Sequence, residues 1–307
     1  MKSLHLEKQY KYVAVPILFW GTLATINKLL LKSLDAMFVL AISSIVAFIF
    51  LFIYNFFTGK LKKMKTYNLA DIIRMVVLGI LGFFCYNLFY LFGIDVLPAQ
   101  EAMILNYMWP AMIIIFSCII LKEKMTFKKI IATIMSIAGV VVVASEGDIS
   151  KIASGNLKGI IFCLLAAVSY GLYSVLNKKE NFDKSIAIMI GYFSTSIIAF
   201  VCIAITGTDS TLNPENMIGL LYNGIACNAI SYLCWVLALD YGNTAIISNL
   251  AYLTPFISLI ICAVVLHENI SWYSIIGLVM IVSGIIVQSA GKKKNELIDK
   301  KVLKHEL

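Results

Sequence analysis

The side chains that could do chemistry are gathered in one short apolar stretch of the chain. Glu101 is closely followed by Asn106, Tyr107, Trp109 and Pro110. Aromatic rings with polar edges suit a ligand that is partly apolar and partly zwitterionic. Because ionising a carboxylate inside an apolar segment is costly, Glu101 is a candidate for proton coupling; the alternative is an interfacial carboxylate in contact with water. The stretch predicts a binding site for a small amphipathic molecule.

Further candidates for the same site are aromatic and polar side chains on other apolar stretches. Tyr86 with Tyr90, and Tyr232 with Trp235, are spaced so that each pair shares one face of a helix. For each ring the alternative is packing in the interior or in an interfacial belt, and for each amide it is hydrogen bonding between helices. The candidate cavity residues are Trp20, Asn27, Tyr86, Tyr90, Asn106, Tyr107, Trp109, Tyr173, Asn177, Ser231, Tyr232, Trp235 and Tyr252.

The sequence lacks the parts of an enzyme active site or a metal site. Its three histidines, His5, His267 and His305, lie near the ends of apolar segments, and its seven cysteines form no C-x-x-C pair. The phosphate-binding pattern G-x-x-x-x-G-K-[ST] is missing, so ATP is not expected to drive it directly. We therefore expect no enzymatic activity, no cofactor and no bound metal.

The elements that position these residues must be transmembrane helices. The chain of 307 residues is 61% apolar and 14% charged, with a mean hydropathy of +0.90, whereas ordinary soluble domains are about 45–50% apolar and about 25% charged. Hydropathy predicts ten spans of about 20 residues each. They lie at roughly 12–31, 36–57, 71–93, 99–121, 127–144, 158–176, 186–206, 216–239, 244–266 and 272–290.

The distribution of basic residues predicts the orientation of these spans. Cytoplasmic loops carry an excess of lysine and arginine. With the N-terminus inside, only Lys28, Lys32, Lys151 and Lys158 of the 25 basic residues fall in outer loops. The prediction is therefore N-in and C-in. Because the basic residues form short clusters between apolar runs, the net charge of +8 does not predict nucleic-acid binding.

An internal repeat divides the chain into two halves. One constant shift superposes Pro110 on Pro255, Glu123 on Glu268 and Gly139 on Gly284, and a slightly larger one superposes Asn27-Lys28 on Asn177-Lys178. Each half holds five spans, and since five is odd, the halves must cross the membrane in opposite directions. We predict inverted repeats at 1–150 and 151–291 and a basic cytosolic tail at 292–307, with a substrate site near the midplane between the repeats.

The paired motifs resemble a known family over nearly the whole chain. Pro110 with Glu123, and Pro255 with Glu268, resemble the duplicated EamA domain of the drug/metabolite transporter superfamily. Within that superfamily, Glu101 with the run 106–110, and Tyr170, Tyr173, Asn177 and Lys178, are similar to the bacterial aromatic amino acid exporters. Val236 after Trp235 departs from the polar residue expected there.

The resemblance implies a fold and a function. The fold is a ten-helix bundle in which spans one to four and six to nine surround a central cavity, with spans five and ten at the periphery. The implied function is secondary transport by alternating access, which exports amino acids, aromatic or other neutral, or related small amphipathic metabolites across the inner (cytoplasmic) membrane of the cell. Pro110 and Pro255 would be gating kinks, or kinks that only shape the bundle. Glu123 and Glu268, at opposite ends of the bundle, are expected to be structural.

Two alternatives remain open from the sequence. The chain could transport another class of solute, such as nucleotide sugars or drugs, or import the same substrates. Phosphorylated solutes need a cation in the cavity, but Lys28, Lys178 and Arg74 lie near span ends. The expected partners are a small-molecule substrate, the lipid bilayer and protons, and the expected assembly is a monomer or a weak homodimer.

Overall fold

The computed structural model describes residues 2–145, 147–148, 156–241, 250, 253–284 and 286–287. Within these ranges the protein is all-α, as predicted. The α-helices are α1 (Lys2–Leu30), α2 (Ala36–Phe57), α3 (Leu69–Gly79), α4 (Tyr86–Val96), α5 (Ala99–Asn106), α6 (Trp109–Ile120), α7 (Phe127–Ser145), α8 (Leu157–Lys178), α9 (Lys184–Thr206), α10 (Pro214–Tyr222), α11 (Ser231–Tyr241), α12 (Thr254–Val265) and α13 (Trp272–Gly284). Two π-helices, the first at Ile80–Cys85 and the second at Asn223–Ile230, and a 3-10 helix at Lys60–Thr66 complete the set of described elements.

Eight helical segments are long and apolar enough to cross a membrane, judged by length and composition. One of them, Leu69–Val96, joins α3, the first π-helix and α4, and another, Ala99–Ile120, joins α5 and α6. α12 and α13 are shorter apolar helices at the positions predicted for the ninth and tenth spans. The described helices follow the predicted order of spans, while the count of ten and the N-in, C-in orientation stay predictions.

The two repeats begin their third span in the same way. The Asn68 side-chain oxygen accepts a hydrogen bond from the backbone N–H of Asp71 at 2.9 Å, and the Asp71 carboxylate accepts one from the Asn68 N–H at 3.1 Å. Asn213 and Asn216 form the same reciprocal pair at the start of α10, at 3.0 and 2.9 Å. Each pair satisfies amides that a helix N-terminus leaves without partners. The repeat therefore extends to the way the helices begin.

Small residues bring α7 and α13 into direct contact. A Cβ added to Gly139 would lie 2.7 Å from the carbonyl oxygen of Gly277, and one added to Gly284 would lie 2.8 Å from that of Ala132. Such short distances leave no room for a larger side chain unless the backbone moves. The resemblance implies that these two helices lie at the periphery of the bundle, and in the structure they pack on each other. We call this the α7–α13 contact.

Glycines also position the first span of each repeat against the other repeat. A Cβ on Gly21 of α1 would lie 2.7 Å from the Ile257 side chain of α12, and one on Gly171 of α8 would lie 2.5 Å from the Met112 side chain of α6. Gly21 and Gly171 superpose under the repeat, as do Ile257 and Met112. The two repeats therefore interlock, and the interior of the bundle is their shared interface.

Candidate binding site at the repeat interface

The two π-helices occupy overlapping positions when the repeats are superposed. π-Helical segments inside α-helices disturb the regular hydrogen-bond ladder and are frequent at functional sites. The indole N–H of Trp20 donates to the Cys227 carbonyl of the second π-helix at 3.0 Å, and the hydroxyl of Ser169 donates to the Leu81 carbonyl of the first at 2.6 Å. Since donor and acceptor belong to different repeats in both cases, each repeat supports the π-helix of the other.

The predicted fourth span is interrupted. Asn106 ends α5, Tyr107 and Met108 form a turn, and α6 begins at the next residue. Pro110 and Pro255, which the sequence predicts as kinks within their spans, each lie in the first turn of a helix, α6 or α12. In that position the missing N–H of proline breaks no intrahelical bond. The negative end of α5 and the positive end of α6 therefore meet at this break.

A continuous row of aromatic rings crosses the interface between the repeats. Its members come from α1, the first π-helix, the turn after α5, α6, α8 and α11, and neighbouring ring centroids lie 5.3–6.1 Å apart. This ring row consists, in order, of Tyr107, Trp109, Tyr170, Tyr173, Phe83, Tyr232, Trp20 and Trp235. Most of the predicted aromatic candidates thus belong to one connected surface.

Tyr86 and Tyr90 extend the ring row along α4. The Tyr86 ring lies 4.9 Å from Tyr170 and 6.1 Å from Tyr90, on which it stacks. The Tyr86 hydroxyl accepts a hydrogen bond of 3.1 Å from the Asn106 side-chain N–H, while the side-chain oxygen of Asn106 is buried without a partner among the described residues. A buried amide oxygen without a partner is costly. A ligand that brings an N–H group to Asn106 would remove that cost.

A hydrogen bond between two buried amides joins α1 to the second π-helix. The Asn223 side-chain N–H donates to the Asn27 side-chain oxygen at 2.8 Å, and both residues are buried. Ser231 is also buried, and its hydroxyl donates to the Ala226 carbonyl at 2.7 Å. The Ser231 hydroxyl thus binds the backbone of its own span. Asn27 connects two helices, as the structural alternative for an amide predicts.

The remaining candidates lie elsewhere. Asn177 is half-buried in the last turns of α8, where its backbone carbonyl accepts a hydrogen bond of 2.9 Å from Lys184. Glu101 is half-buried in the first turn of α5, where the helix dipole favours a carboxylate. Tyr252 lies outside the described residues. The structure therefore brings together the aromatic candidates and Asn106, and places Asn177 at a helix end.

Two members of the ring row were missing from the predicted set. Tyr170 contacts Tyr86, Trp109 and Tyr173. The family resemblance includes it, and it superposes on Trp20 under the repeat, but it is not among the candidate cavity residues. Phe83 joins Tyr173 to the second repeat. Its position in a π-helix gave no signal in the sequence.

Arg74 and Lys178, two of the cations considered for binding a phosphorylated solute, are engaged with acidic side chains. Arg74 pairs with Asp71 and lies 3.3 Å from Glu180, and Lys178 lies 3.5 Å from Glu123. The ring row itself consists of aromatic side chains, none of them charged. A phosphorylated ligand would need a cation at this surface, so the geometry favours a ligand without net charge.

A polar cluster fastens the loop after α2 to the start of α9. Lys63 and Ser185 donate hydrogen bonds to the two carboxylate oxygens of Asp183, both at 2.7 Å, and the Asp183 N–H donates to the Tyr67 hydroxyl at 2.9 Å. Burial acts to raise the pKa of Asp183, but the hydrogen bonds from Lys63 and Ser185 outweigh it and lower the pKa to about 2. This carboxylate is therefore ionised at neutral pH and stabilises the loop.

Comparison with known sequences gives consistent matches along the chain. The model of the EamA-like transporter family matches residues 8–145 and 157–290. An uncharacterized transporter from Clostridium kluyveri is 29% identical over 301 residues, covering 95% of this chain and 96% of that protein. The aromatic amino acid exporter YddG from Ancylobacter novellus is 24% identical over 188 residues, covering 61% of this chain and 65% of that protein.

Comparison with solved structures adds support for the fold. One crystal structure superposes with a TM-score of 0.69 at 19% identity, covering 94% of this chain and 99% of that one. At this level of identity the likeness concerns the fold alone. The family model matches the chain twice, as the internal repeat in the sequence leads one to expect.

Proposed function

The chain belongs to the EamA-like transporter family, which confirms the resemblance in its sequence, and from this premise we propose that it exports neutral amino acids or closely related amphipathic metabolites. It is a multi-pass membrane protein of a transporter family. The proposal concerns the substrate, the direction and the site. Substrate would bind at the ring row and cross the inner membrane by alternating access.

The observation that carries the proposal is the pairing of the ring row with the buried Asn106 oxygen. An aromatic or aliphatic side chain of the substrate would pack on the rings, while its amino group would donate to Asn106. The break between α5 and α6 also brings helix termini of opposite polarity together, and these suit the two charges of a zwitterion. The site thus offers apolar surface and dipoles without a fixed charge.

A relative of low sequence identity supports this substrate class. One relative is named an aromatic amino acid exporter. The nucleotide-sugar alternative would require a cation at the ring row, whereas Arg74 and Lys178 are paired with acidic residues. Import of the same substrates would use the same site, so the experiment must also measure direction.

The test is counterflow in liposomes reconstituted with the purified full-length protein. Vesicles are loaded with unlabelled solute, and uptake of labelled phenylalanine, tryptophan, threonine or a nucleotide sugar is followed. We expect exchange of the amino acids and none of the nucleotide sugar; the reverse pattern would refute the proposed substrate class. Faster efflux than uptake in intact cells expressing the protein would support export, and faster uptake would refute it.

A matched pair of tryptophan variants locates the site. Trp109 is half-buried within the ring row, whereas Trp272 is 75% exposed at the start of α13. Trp109→Ala should abolish amino acid counterflow, and Trp272→Ala should leave it unchanged. Equal effects of the two substitutions would show that the ring row does not bind the substrate.

We also propose that Glu101 couples transport to protons. Its half-buried carboxylate lies in the first turn of α5, the helix that ends at Asn106, so a change in its charge would act on the helix that carries the site. Glu101→Gln should retain counterflow but lose the acceleration caused by an imposed pH gradient. The exposed Glu215 in the first turn of α10 is the control. A normal gradient response of Glu101→Gln would refute the coupling role.

A further inference from the structure

The turn between α4 and α5 is held by a lysine from α1. The Lys28 ammonium donates three hydrogen bonds to backbone carbonyls at the end of α4, to Ile94 at 2.6 Å, Asp95 at 3.1 Å and Leu97 at 2.8 Å. A cation is favourable at a helix C-terminus because the unpaired carbonyls and the helix dipole are both negative there. Lys28 thus fastens the end of α4 to α1.

A glutamate from the other repeat holds the same turn from its other side. The two carboxylate oxygens of Glu268 accept hydrogen bonds from the backbone N–H groups of Ala99 at 2.7 Å and Gln100 at 3.1 Å. The Gln100 side chain in turn donates to the Asn269 carbonyl at 2.6 Å. A carboxylate is favourable at a helix N-terminus for the converse reason. Glu268, in the loop between α12 and α13, thus fastens the start of α5 to the second repeat.

We propose that Lys28 and Glu268 form a clasp that keeps this end of the bundle closed and that must release before substrate can pass. The inference rests on the proposed alternating access. We call this part of the molecule the Lys28 end, which the lysine distribution predicts to face outside. Because Lys28 holds α4 and Glu268 holds α5, the two helices cannot separate from α1 and α12 while the clasp is intact.

The interior beneath the clasp is closed in this conformation. Cys262 of α12 is fully buried, and its sulfur lies 3.4 Å from the Thr25 hydroxyl of α1. Cys262 is less than two turns along the chain from Glu268. Release of the clasp would separate α12 from its neighbours here, so the accessibility of this thiol reports opening at the Lys28 end.

The repeat places the same two residue types at the opposite end. Lys28 superposes on Lys178 and Glu268 on Glu123. There, the Lys178 ammonium lies 3.5 Å from the Glu123 carboxylate, which also binds Lys129 at 2.9 Å. At this opposite end, Lys178 is 65% exposed. At the Lys28 end, by contrast, Lys28 is half-buried and contacts backbone carbonyls. The two ends therefore use equivalent residues in different contacts, as expected if one end is held more firmly than the other.

The test measures the labelling rate of Cys262 by a charged maleimide in the purified full-length protein, with peptide mass spectrometry identifying the labelled thiol. Detergent solution exposes both ends, so the result does not depend on membrane orientation. The half-buried Cys118 serves as an internal reference in the same sample. We expect Lys28→Met and Glu268→Gln to accelerate Cys262 labelling about tenfold, which corresponds to ~1.4 kcal/mol. Labelling of Cys118, which lies near the opposite end beside Lys129, should not accelerate.

Matched controls separate the clasp from a general loss of structure. The exposed Lys32 and Glu215 are the counterparts, and Lys32→Met and Glu215→Gln should leave Cys262 slow. Lys28→Arg keeps a donor cation and should stay close to wild type. Parallel acceleration at Cys262 and Cys118 would indicate unfolding and would overturn the clasp, as would unchanged Cys262 labelling in Lys28→Met and Glu268→Gln.

Counterflow measured on the same preparations distinguishes this proposal from the proposed function. Faster Cys262 labelling in the clasp variants, in a protein whose wild type exchanges no amino acid, would support the clasp and overturn the substrate assignment. Normal wild-type counterflow combined with unchanged Cys262 labelling would overturn the clasp and leave the substrate assignment standing.

Discussion

The ring row and the α7–α13 contact both join the two repeats, yet they are built differently. At the α7–α13 contact, helices touch through Gly139, Gly277 and Gly284. Around the ring row, helices are interrupted by two π-helices and by the break after Asn106. Small residues at a contact allow close packing, whereas interruptions make backbone groups available to other partners. The α7–α13 contact therefore depends on close packing, whereas the proposed site lies where helices depart from the regular α-helix.

The largest effect on stability is expected at the α7–α13 contact. A Cβ at Gly277 would lie 2.3 Å from the Val143 side chain and 2.7 Å from the Gly139 carbonyl oxygen. Gly277→Leu should therefore cost about 3 kcal/mol of stability or more through overpacking, measured as a lower unfolding temperature in detergent. Val279→Leu, at a site 48% exposed, is the control. The KM for substrate of the remaining folded protein should not change; a raised KM would place this contact in the site.

A smaller loss of stability is expected when the first π-helix loses its hydrogen bond from α8. Ser169→Ala removes the hydrogen bond that the Leu81 carbonyl accepts from α8, and one such bond contributes about 0.5–1.5 kcal/mol. Because the first π-helix carries Phe83 of the ring row, both the unfolding temperature and the affinity for substrate should fall. Ser174→Ala, whose hydroxyl donates to a carbonyl of its own helix at 2.7 Å, should affect neither. Equal behaviour of the two variants would argue against a special role of the π-helix.

A change confined to one hydrogen bond should affect the site and spare the fold. Tyr86→Phe removes the hydroxyl that accepts from Asn106 at 3.1 Å while keeping the ring. One hydrogen bond contributes about 1 kcal/mol, so KM in counterflow should rise about fivefold with little change in unfolding temperature. Tyr54→Phe on α2 is the control. An unchanged KM would mean that the position of Asn106 does not depend on this bond.

The smallest effect is expected far from the ring row, at Asp183. Its folded-state pKa of about 2 lies below its ordinary value, so its ionised form stabilises the fold at pH values above the unfolded pKa of about 3.9. Because the pair with Lys63 is partly exposed, Asp183→Asn should cost less than about 1 kcal/mol. The difference in unfolding temperature from wild type should stay constant from neutral pH down to about pH 4. It should then shrink as the pH falls toward 2; a difference that grows on acidification would contradict this assignment.

Much of the fold follows from the sequence because its signals are local. The apolar runs predict the helices in order, and the superposition of Pro110 on Pro255 and Gly139 on Gly284 predicts equivalent positions in the two halves. Aromatic spacing predicts that Tyr86 and Tyr90 share a face, and the structure stacks them. These features depend on periodicity and repeat alone.

The π-helices could not be predicted because their support comes from elsewhere in the chain. Trp20 and Ser169 satisfy carbonyls on distant helices, and nothing in the local sequence of either π-helix marks that partner. The same holds for Lys28 and Glu268, whose partners are the ends of helices in other parts of the sequence. The sequence predicts a kink at Pro110. It does not predict that Pro110 lies in the first turn of α6, because that position depends on where α5 ends.

The central claim is that substrate binds at Asn106 within the ring row, and equilibrium binding tests it most directly. Labelled phenylalanine would be titrated into the purified protein and into Asn106→Leu, a substitution of similar size that removes the amide. We predict at least about tenfold weaker binding by Asn106→Leu, equivalent to ~1.4 kcal/mol, at an unfolding temperature close to wild type. Equal affinity of the two proteins for phenylalanine would contradict the proposed site.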